Sequence, residues 1–461
     1  MIKKIFFIAF CTLSFTMANA NSTDNYDKTF VTITNNTSRD VNVDIELSTT
    51  DKHYNDGKDW HEQPVALAPY MSKQVLWFKR DHGINSHEKH QFKISIRHPD
   101  YISQPILLDL LEQAKPAYNS TVTTSIILPE QAQATILTRD ELQTLSGNYW
   151  GNSTTVYARR WSTSNKAFDD YQFVIDQPQI NSFDTSANNK ISVLTYNTQL
   201  LPIFANAVDD LNQPMLRAKA IPKKIKNYDA VIFEEAVDDT FRDILTNAMK
   251  SYYPYHTKVA SRLPSRLLSG GIILFSKWPI IREDQIAYSK ASKYDELVAK
   301  GVIYAAISKN GKVYHIMGTH TQAAANKPGE SREIRALQLK EWAEFIERLR
   351  IPENEPLILA GDFNVNQFGT NTELNSILTM LNVKLLPNTG HPYSADPTIN
   401  TMLHSKSPSR IDYLFYHEGH VKPTVAFNKV FILRYLEDQN AWPKFDLSDH
   451  FPVVGYFEFG E

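Results

Sequence analysis

Asp362 and Asn364 stand two residues apart in the stretch 357–366, LILAGDFNVN, where an apolar run breaks into polar side chains. A short apolar run of this kind reads as a buried strand. If the extended chain continues, Asp362 and Asn364 point the same way. A carboxylate and an amide would then share the open end of a buried strand, where polar groups are costly unless they bind something. G-D-x-N is equally good turn chemistry, and taken alone the stretch fits a turn as well as a site.

Other apolar runs end in the same manner. The run 191–196 meets Asn197, 230–233 meets Glu234 and Glu235, and 313–319 meets His320. Asp449 and His450 precede the last apolar run, 453–459. Each has an ordinary explanation. Asn197 could cap a turn, Glu235 could be a solvated rim charge, His320 a hydrogen-bonded structural histidine, and Asp449–His450 a loop pair. Their joint occurrence at strand ends favours a site, since loop residues held on a rigid sheet are where sites are built. Together they offer oxygen ligands for a hard cation and an imidazole for proton transfer. With this Asp/Glu/Asn set and no thiolate, Mg²⁺ or Mn²⁺ is the expected cofactor. Such a cation polarises a phosphoryl oxygen and orients water. A histidine held by an aspartate can act as general base, worth roughly 10²–10⁴-fold.

From Ile191 the pattern is that of one α/β domain, 191–461. Strands are expected at 191–196, 230–233, 271–275, 301–307, 313–318, 357–360, 410–416 and 453–459. The clearest helix is 331–350, with Ile334, Trp342, Phe345, Ile346 and Leu349 on one stripe. Before it, the alternating runs 30–34, 41–47, 74–78, 91–96 and 122–128 predict an all-β, sandwich-like accessory domain over 21–165. The aromatics of 149–161 fit its core or an interface. The Ser/Asn/Asp/Thr-rich stretch 166–190 reads as a linker.

Composition narrows the function. The chain has 461 residues, a net charge of -3 and one cysteine, Cys11. The acidic balance weighs against nucleic acid as a partner. Residues 1–20 read as a cleavable signal peptide: Lys3 and Lys4, an apolar core, then Ala18-Asn19-Ala20. An exported protein is expected, periplasmic or extracellular, with no cysteine left for a disulfide or thiolate site once the signal is removed.

The ordered motifs TYNTQLLP (195–202), DAVIFEEAVDD (229–239), GGIILFSKWPI (270–280), KGVIY (300–304), GTHTQA (318–323), LAGDFNVN (359–366), NTGH (388–391), RIDYLFY (410–416) and LSDHFPV (447–453) resemble the endonuclease/exonuclease/phosphatase superfamily. The S-K-W-P-I, G-T-H-x-Q and K-G-x-x-Y elements are similar to its bacterial neutral sphingomyelinase branch. The resemblance covers 190–459 and implies a four-layer α/β sandwich, two mixed β-sheets with outer helices. It implies hydrolysis of sphingomyelin, or a related choline phospholipid, to ceramide and phosphocholine, by a monomer working peripherally on a membrane. In that pattern Glu235 is the principal metal ligand and Asn197 helps to hold metal and phosphate. Asp362 and Asn364 face the scissile phosphate, and His450 is the general base with Asp449 beside it. His320 stabilises developing charge or assists the leaving group. Asp412 supports the site, with orienting His320 as one way of doing so. An extra edge metal seen in some secreted relatives is not expected, because Leu268-Ser269 stand where an acidic pair would precede Gly270-Gly271. Where relatives carry a membrane-inserting hairpin, 431–445 offers Tyr435, Leu436 and Trp442 at different offsets; interfacial Tyr and Trp suit membrane docking, and core packing suits Trp442 equally. Other phosphodiesterases on the same site, or a host-surface binding protein, are the alternatives.

Overall fold

The computed structural model describes residues 27–69, 71–80, 88–115, 119–129, 131–139, 141–162, 168–177, 183–202, 213–260, 266–323, 327, 329–369, 372–397, 400, 402–403, 405, 407–435, 437 and 446–460. The expected signal segment with Cys11, and Leu436 and Trp442, lie outside the described residues.

The N-terminal strands alternate as the sequence suggests. In Val41–Thr49, Val41, Val43 and Ile45 are buried while Asn42, Asp44 and Glu46 are exposed. Such strands can bury one face only, so two sheets must close on each other. Two six-stranded sheets do so. One runs Leu142–Tyr149, Asn152–Ser162, Asp169–Asp176, Lys28–Asn36, Met71–Lys79, Trp60–Glu62; the other runs Val65–Leu67, Val41–Thr49, Lys89–Arg97, Ile106–Lys115, Asn119–Ile127, Thr135–Ile136. A single core joins Val31, Ile33 and Phe78 of the first to Val43, Ile94 and Leu108 of the second, with Tyr149 and Trp150. The stretch expected as linker is different in part. Asp169–Asp176 is a strand pairing parallel with Lys28–Asn36 and antiparallel with Asn152–Ser162. Its buried Tyr171, Phe173 and Ile175 supply the driving force that its polar flanks conceal.

Beyond Lys190 the strands read as near-continuous apolar runs, which need cover on both faces. Two sheets pack face to face. The seven-stranded one is ordered Tyr255–His256, Ile273–Ser276, Ala230–Glu234, Lys190–Asn197, Val453–Phe459, Pro423–Val430, Asn388–Gly390; the six-stranded one is Ile280–Ala287, Gly301–Lys309, Lys312–His320, Leu357–Asp362, Asp412–His417, Val383–Leu385. Among the described residues four α-helices flank them: α1 (Pro214–Lys224), α2 (Asp239–Met249), α3 (Glu330–Leu349) and α4 (Thr372–Met380).

Successive side chains of each central strand serve different layers. Val193, Ile232 and Leu274 meet Ile303, Ile316, Ile358 and Leu414 between the sheets. Their neighbours Leu194, Tyr196 and Phe233 pack under Ile221 of α1 and Phe241 and Leu245 of α2. On the far side Tyr304, Met317, Leu359 and Phe415 pack under Leu339, Trp342 and Phe345 of α3 and Ile377 of α4. The result is the expected four layers, helix, sheet, sheet, helix. No helix among the described residues is long and apolar enough to cross a membrane.

Candidate active site

Strand direction explains why the chemistry collects at one edge. Lys190–Asn197 and Ala230–Glu234 are parallel neighbours, as are Lys312–His320 and Leu357–Asp362, so all four deliver their C-terminal residues to the same rim. Asp412–His417 and Val453–Phe459 run antiparallel to them and bring their N-terminal ends there. Register makes Asn197 the partner of Glu234, and His320, Asp362 and Asp412 consecutive partners in one row.

The G-D-x-N stretch is both strand end and turn. Gly361 has φ 140°, and a Cβ there would lie 2.1 Å from the Thr319 carbonyl oxygen, so no larger residue fits the close approach of the two strands. The strand stops at Asp362. Asn364 takes φ 50°, and its backbone N–H donates to Asp362 Oδ1 at 2.9 Å while its side-chain amide donates to the Thr321 carbonyl at 3.2 Å. Continued extension, which would have set Asp362 and Asn364 side by side, does not occur. Glu235 lies just past its strand with φ 56°, in a turn against which Gly271 packs: a Cβ on Gly271 would sit 2.7 Å from Val237 Cγ2.

The two histidines differ in surroundings. His450 Nδ1 meets Asp412 Oδ2 at 2.9 Å, and its Nε2 lies 4.0 Å from Asp362 Oδ2. Although burial pulls the imidazole down, Asp412, Asp449 and Asp362 hold it well above its ordinary value. His320 Nε2 lies 3.5 Å from Asp362 Oδ2, 3.9 Å from Glu235 Oε1 and 2.9 Å from Lys300 Nζ. An ammonium only donates, so that nitrogen accepts and the ring proton sits on Nδ1. Burial, then Lys300 and His450, press His320 well below its ordinary value, so it stays neutral.

This corrects one expectation. Asp412 orients His450, not His320, because register sets Asp412 beside Asp362 and turns it to the loop before Val453–Phe459. Asp449 is not the aspartate that fixes His450 either. Its Oδ2 accepts from Gln199 Nε2 at 2.9 Å, and its Oδ1 faces Ser448 Oγ at 3.2 Å. Asn197 Nδ2 donates to Asp362 Oδ2 at 3.1 Å, and Asn197 Oδ1 accepts from the Gln199 backbone at 3.2 Å.

Carboxylates crowd here. Burial and then Asp449 push Glu235 up to about 7; burial and then Asp412 push Asp362 up to about 6. Glu234, bonded through Oε1 to Thr195, is raised well above the ordinary range by burial. Glu234 Oε2 and Asp412 Oδ1 are buried with no partner among the described residues. An all-oxygen, over-acidic group with unpartnered oxygens fits a hard divalent cation. Asp362, Asp412 and His450 offer ligand atoms within 4.8 Å of one another. The Asp412 bond occupies Nδ1 of His450 and leaves Nε2 facing Asp362.

Lys300, Gln199 and Arg217 belong to this site and were given no role from sequence; Glu234, noted beside Glu235, belongs to it too. The signal for Lys300 was its place directly before the buried strand Gly301–Lys309; it also pairs with Asp295 at 3.0 Å. Of the three residues named in 431–445, Tyr435 is described, and it is buried in a core with Phe431 and Leu433.

Residues 194–450 match the Endonuclease/Exonuclease/phosphatase family. The chain belongs to this family, in its sphingomyelinase C branch. It is 36% identical over 256 residues to a sphingomyelinase C of Listeria ivanovii, covering 50% of this chain and 76% of that relative. The structure of SmcL superposes with a TM-score of 0.53 at 34% identity, covering 59% of this chain and 100% of SmcL. A mutant Staphylococcus aureus beta toxin solved with bound magnesium ions superposes with a TM-score of 0.53 at 30% identity, over 58% of this chain and 100% of the toxin. The family fold begins where the second pair of sheets begins; the N-terminal sandwich lies outside it.

Proposed function

We propose that the chain is an exported, Mg²⁺-dependent sphingomyelin phosphodiesterase that releases phosphocholine and leaves ceramide in the membrane. The observation that carries this reading is the Asp412–His450 pair at 2.9 Å, aimed across 4.0 Å at Asp362 in a carboxylate-lined rim. The relatives' names support the lipid as substrate.

In this reading Glu235 and Asn197 would hold Mg²⁺, or Mn²⁺ in its place. When bound, the cation polarises a phosphoryl oxygen and offsets the carboxylate charge that otherwise keeps His450 protonated. His450 then accepts a proton at Nε2 from a water whose oxygen attacks phosphorus, and Asp412 holds Nδ1–H and the resulting imidazolium. Asp362 and Asn364 fix the water and the phosphate. The bond between phosphorus and the ceramide oxygen breaks opposite the attacking water; that oxygen takes a proton from solvent and leaves as the ceramide hydroxyl, and His450 returns its proton to solvent. Lys300, bonded to His320, supplies positive charge where the leaving oxygen and phosphoryl oxygens gain negative charge. Asp449 acts through Gln199 to keep the His450 loop in place.

The test is phosphocholine release from sphingomyelin and from phosphatidylcholine vesicles, with EDTA and with Mg²⁺ restored, alongside plasmid DNA. Release from sphingomyelin alone, abolished by EDTA and recovered with Mg²⁺, is the expected result. Cleavage of DNA, or release indifferent to EDTA, would overturn it.

A further inference from the structure

Arg217 has the most unusual surroundings of any cation near the rim. It lies in the first turn of α1 and is fully buried, yet no carboxylate forms an ion pair with it among the described residues. Its guanidinium instead reads backbone. Nη1 donates to the Thr198 carbonyl at 2.8 Å and to the Leu447 carbonyl at 3.1 Å, and Nη2 donates to the Gln199 carbonyl at 2.9 Å. Two of these carbonyls directly follow Asn197. The third directly precedes Ser448, Asp449 and His450.

The two loops so joined are the halves of the site that come from opposite ends of the domain sequence. Gln199 is held at φ 49°, an uncommon conformation for a residue with a side chain, which turns the chain after Asn197 back towards α1. Ser448 Oγ donates to the Asn197 carbonyl at 2.7 Å, and Gln199 Nε2 donates to Asp449 at 2.9 Å. The fork of Arg217 joins the same two loops through their backbone. A planar guanidinium can satisfy three carbonyls in fixed directions, which an ammonium cannot. Its charge also bears on Asp449 and Glu235 from the protein side of the rim.

From this geometry we propose that Arg217 is a positioning residue: it sets the separation between the Asn197 loop and the Asp449–His450 loop, and so aligns the cation-holding side of the site with the general base. The inference rests on the reading of the rim as a phosphodiesterase centre.

Arg217→Lys tests it, because the variant keeps charge and helix but loses the fork. Misplacement of a reacting group by about 1 Å costs on the order of 100-fold, so kcat for phosphocholine release is expected to fall about 30- to 100-fold with KM for sphingomyelin vesicles unchanged. Mg²⁺ affinity, read by calorimetry without substrate, is expected to weaken about tenfold. Ser448→Ala should add little in the Arg217→Lys background, since both act on one separation. Wild-type kcat and Mg²⁺ affinity in Arg217→Lys would overturn the proposal. So would losses that multiply with Ser448→Ala, or activity that merely tracks the folded fraction on cooling. If the wild-type protein releases no phosphocholine, the functional reading fails by itself, and the calorimetric arm still reports on Arg217.

Discussion

The two ends of the C-terminal sheets both bury carboxylates, but they treat them differently. At the end away from the rim, Asp229 opens the strand Ala230–Glu234. Its Oδ2 accepts from the Ser192 backbone at 2.9 Å and the Ser192 hydroxyl at 3.1 Å; its Oδ1 accepts from Trp278 Nε1 at 2.8 Å and Lys309 Nζ at 2.9 Å. Lys309, fully buried, gives its other bonds to the Lys190 and Thr185 carbonyls. Every oxygen is matched and the charge is neutralised in place. At the rim, Glu234, Glu235, Asp362, Asp412 and Asp449 accumulate: Glu234 and Asp412 each keep a buried oxygen without a partner among the described residues, and Glu234, Glu235, Asp362 and Asp449 are all raised, chiefly by burial. A buried carboxylate that is fully answered is part of the scaffold; one that is left short is waiting for a ligand.

That contrast can be broken by substitution at either end. His450→Ala should lower phosphocholine release by about 10²–10⁴-fold, with some loss in the thermal midpoint because Asp412 is left buried without its partner; full activity would remove the assigned base. Lys309→Met leaves Asp229 buried and alone, and breaking a buried pair costs roughly 3–5 kcal/mol, so urea unfolding should shift by about that much while kcat in the cold is retained. A catalytic collapse in that variant, with the fold intact, would erase the distinction between the ends. Glu235→Gln should weaken Mg²⁺ binding about 10- to 100-fold by calorimetry with little loss of stability.

A finer test uses pH. Glu235 at about 7 and Asp362 at about 6 bind protons more tightly folded than unfolded. Their penalty is present above those values and relieved as pH falls below them. His450, raised in the fold, has the same sign, its contribution being lost as pH rises through its raised value. The thermal midpoint in EDTA should therefore rise from about pH 8 to about pH 6. Saturating Mg²⁺ should flatten that slope; an equal slope with and without Mg²⁺ would contradict the assignment of these groups to a cation.

The central strands were legible because both their faces are covered, so their sequences are unbroken apolar runs. The site was legible where such a run stops at a polar residue: Asn197, Glu235, His320 and Asp362 all carry that mark. Ile280–Ala287 was missed because it is an edge strand whose charged IREDQ segment faces water, as edges require. Pro423–Val430, half-exposed and opening with proline, was missed for a related reason. Helix α1 carries Pro222 in its interior and gives little helical signal. Which aspartate serves which histidine was not readable, because it depends on register between strands far apart in sequence. Arg217 was hidden for the opposite reason: an arginine on a short helix gives no sign that its partners are carbonyls of loops on either side of the site.

His320, Asp362 and Asp412 form one row across three paired strands, and Asn197 and Glu234 are a pair in the facing sheet. Their spacing is therefore set by the backbone hydrogen bonds that hold the domain's interior together. Sliding any one of these strands by a single position would flip a reactive group into the packed layer and an aliphatic one into its place. Heat should consequently silence such a centre only when the entire domain melts.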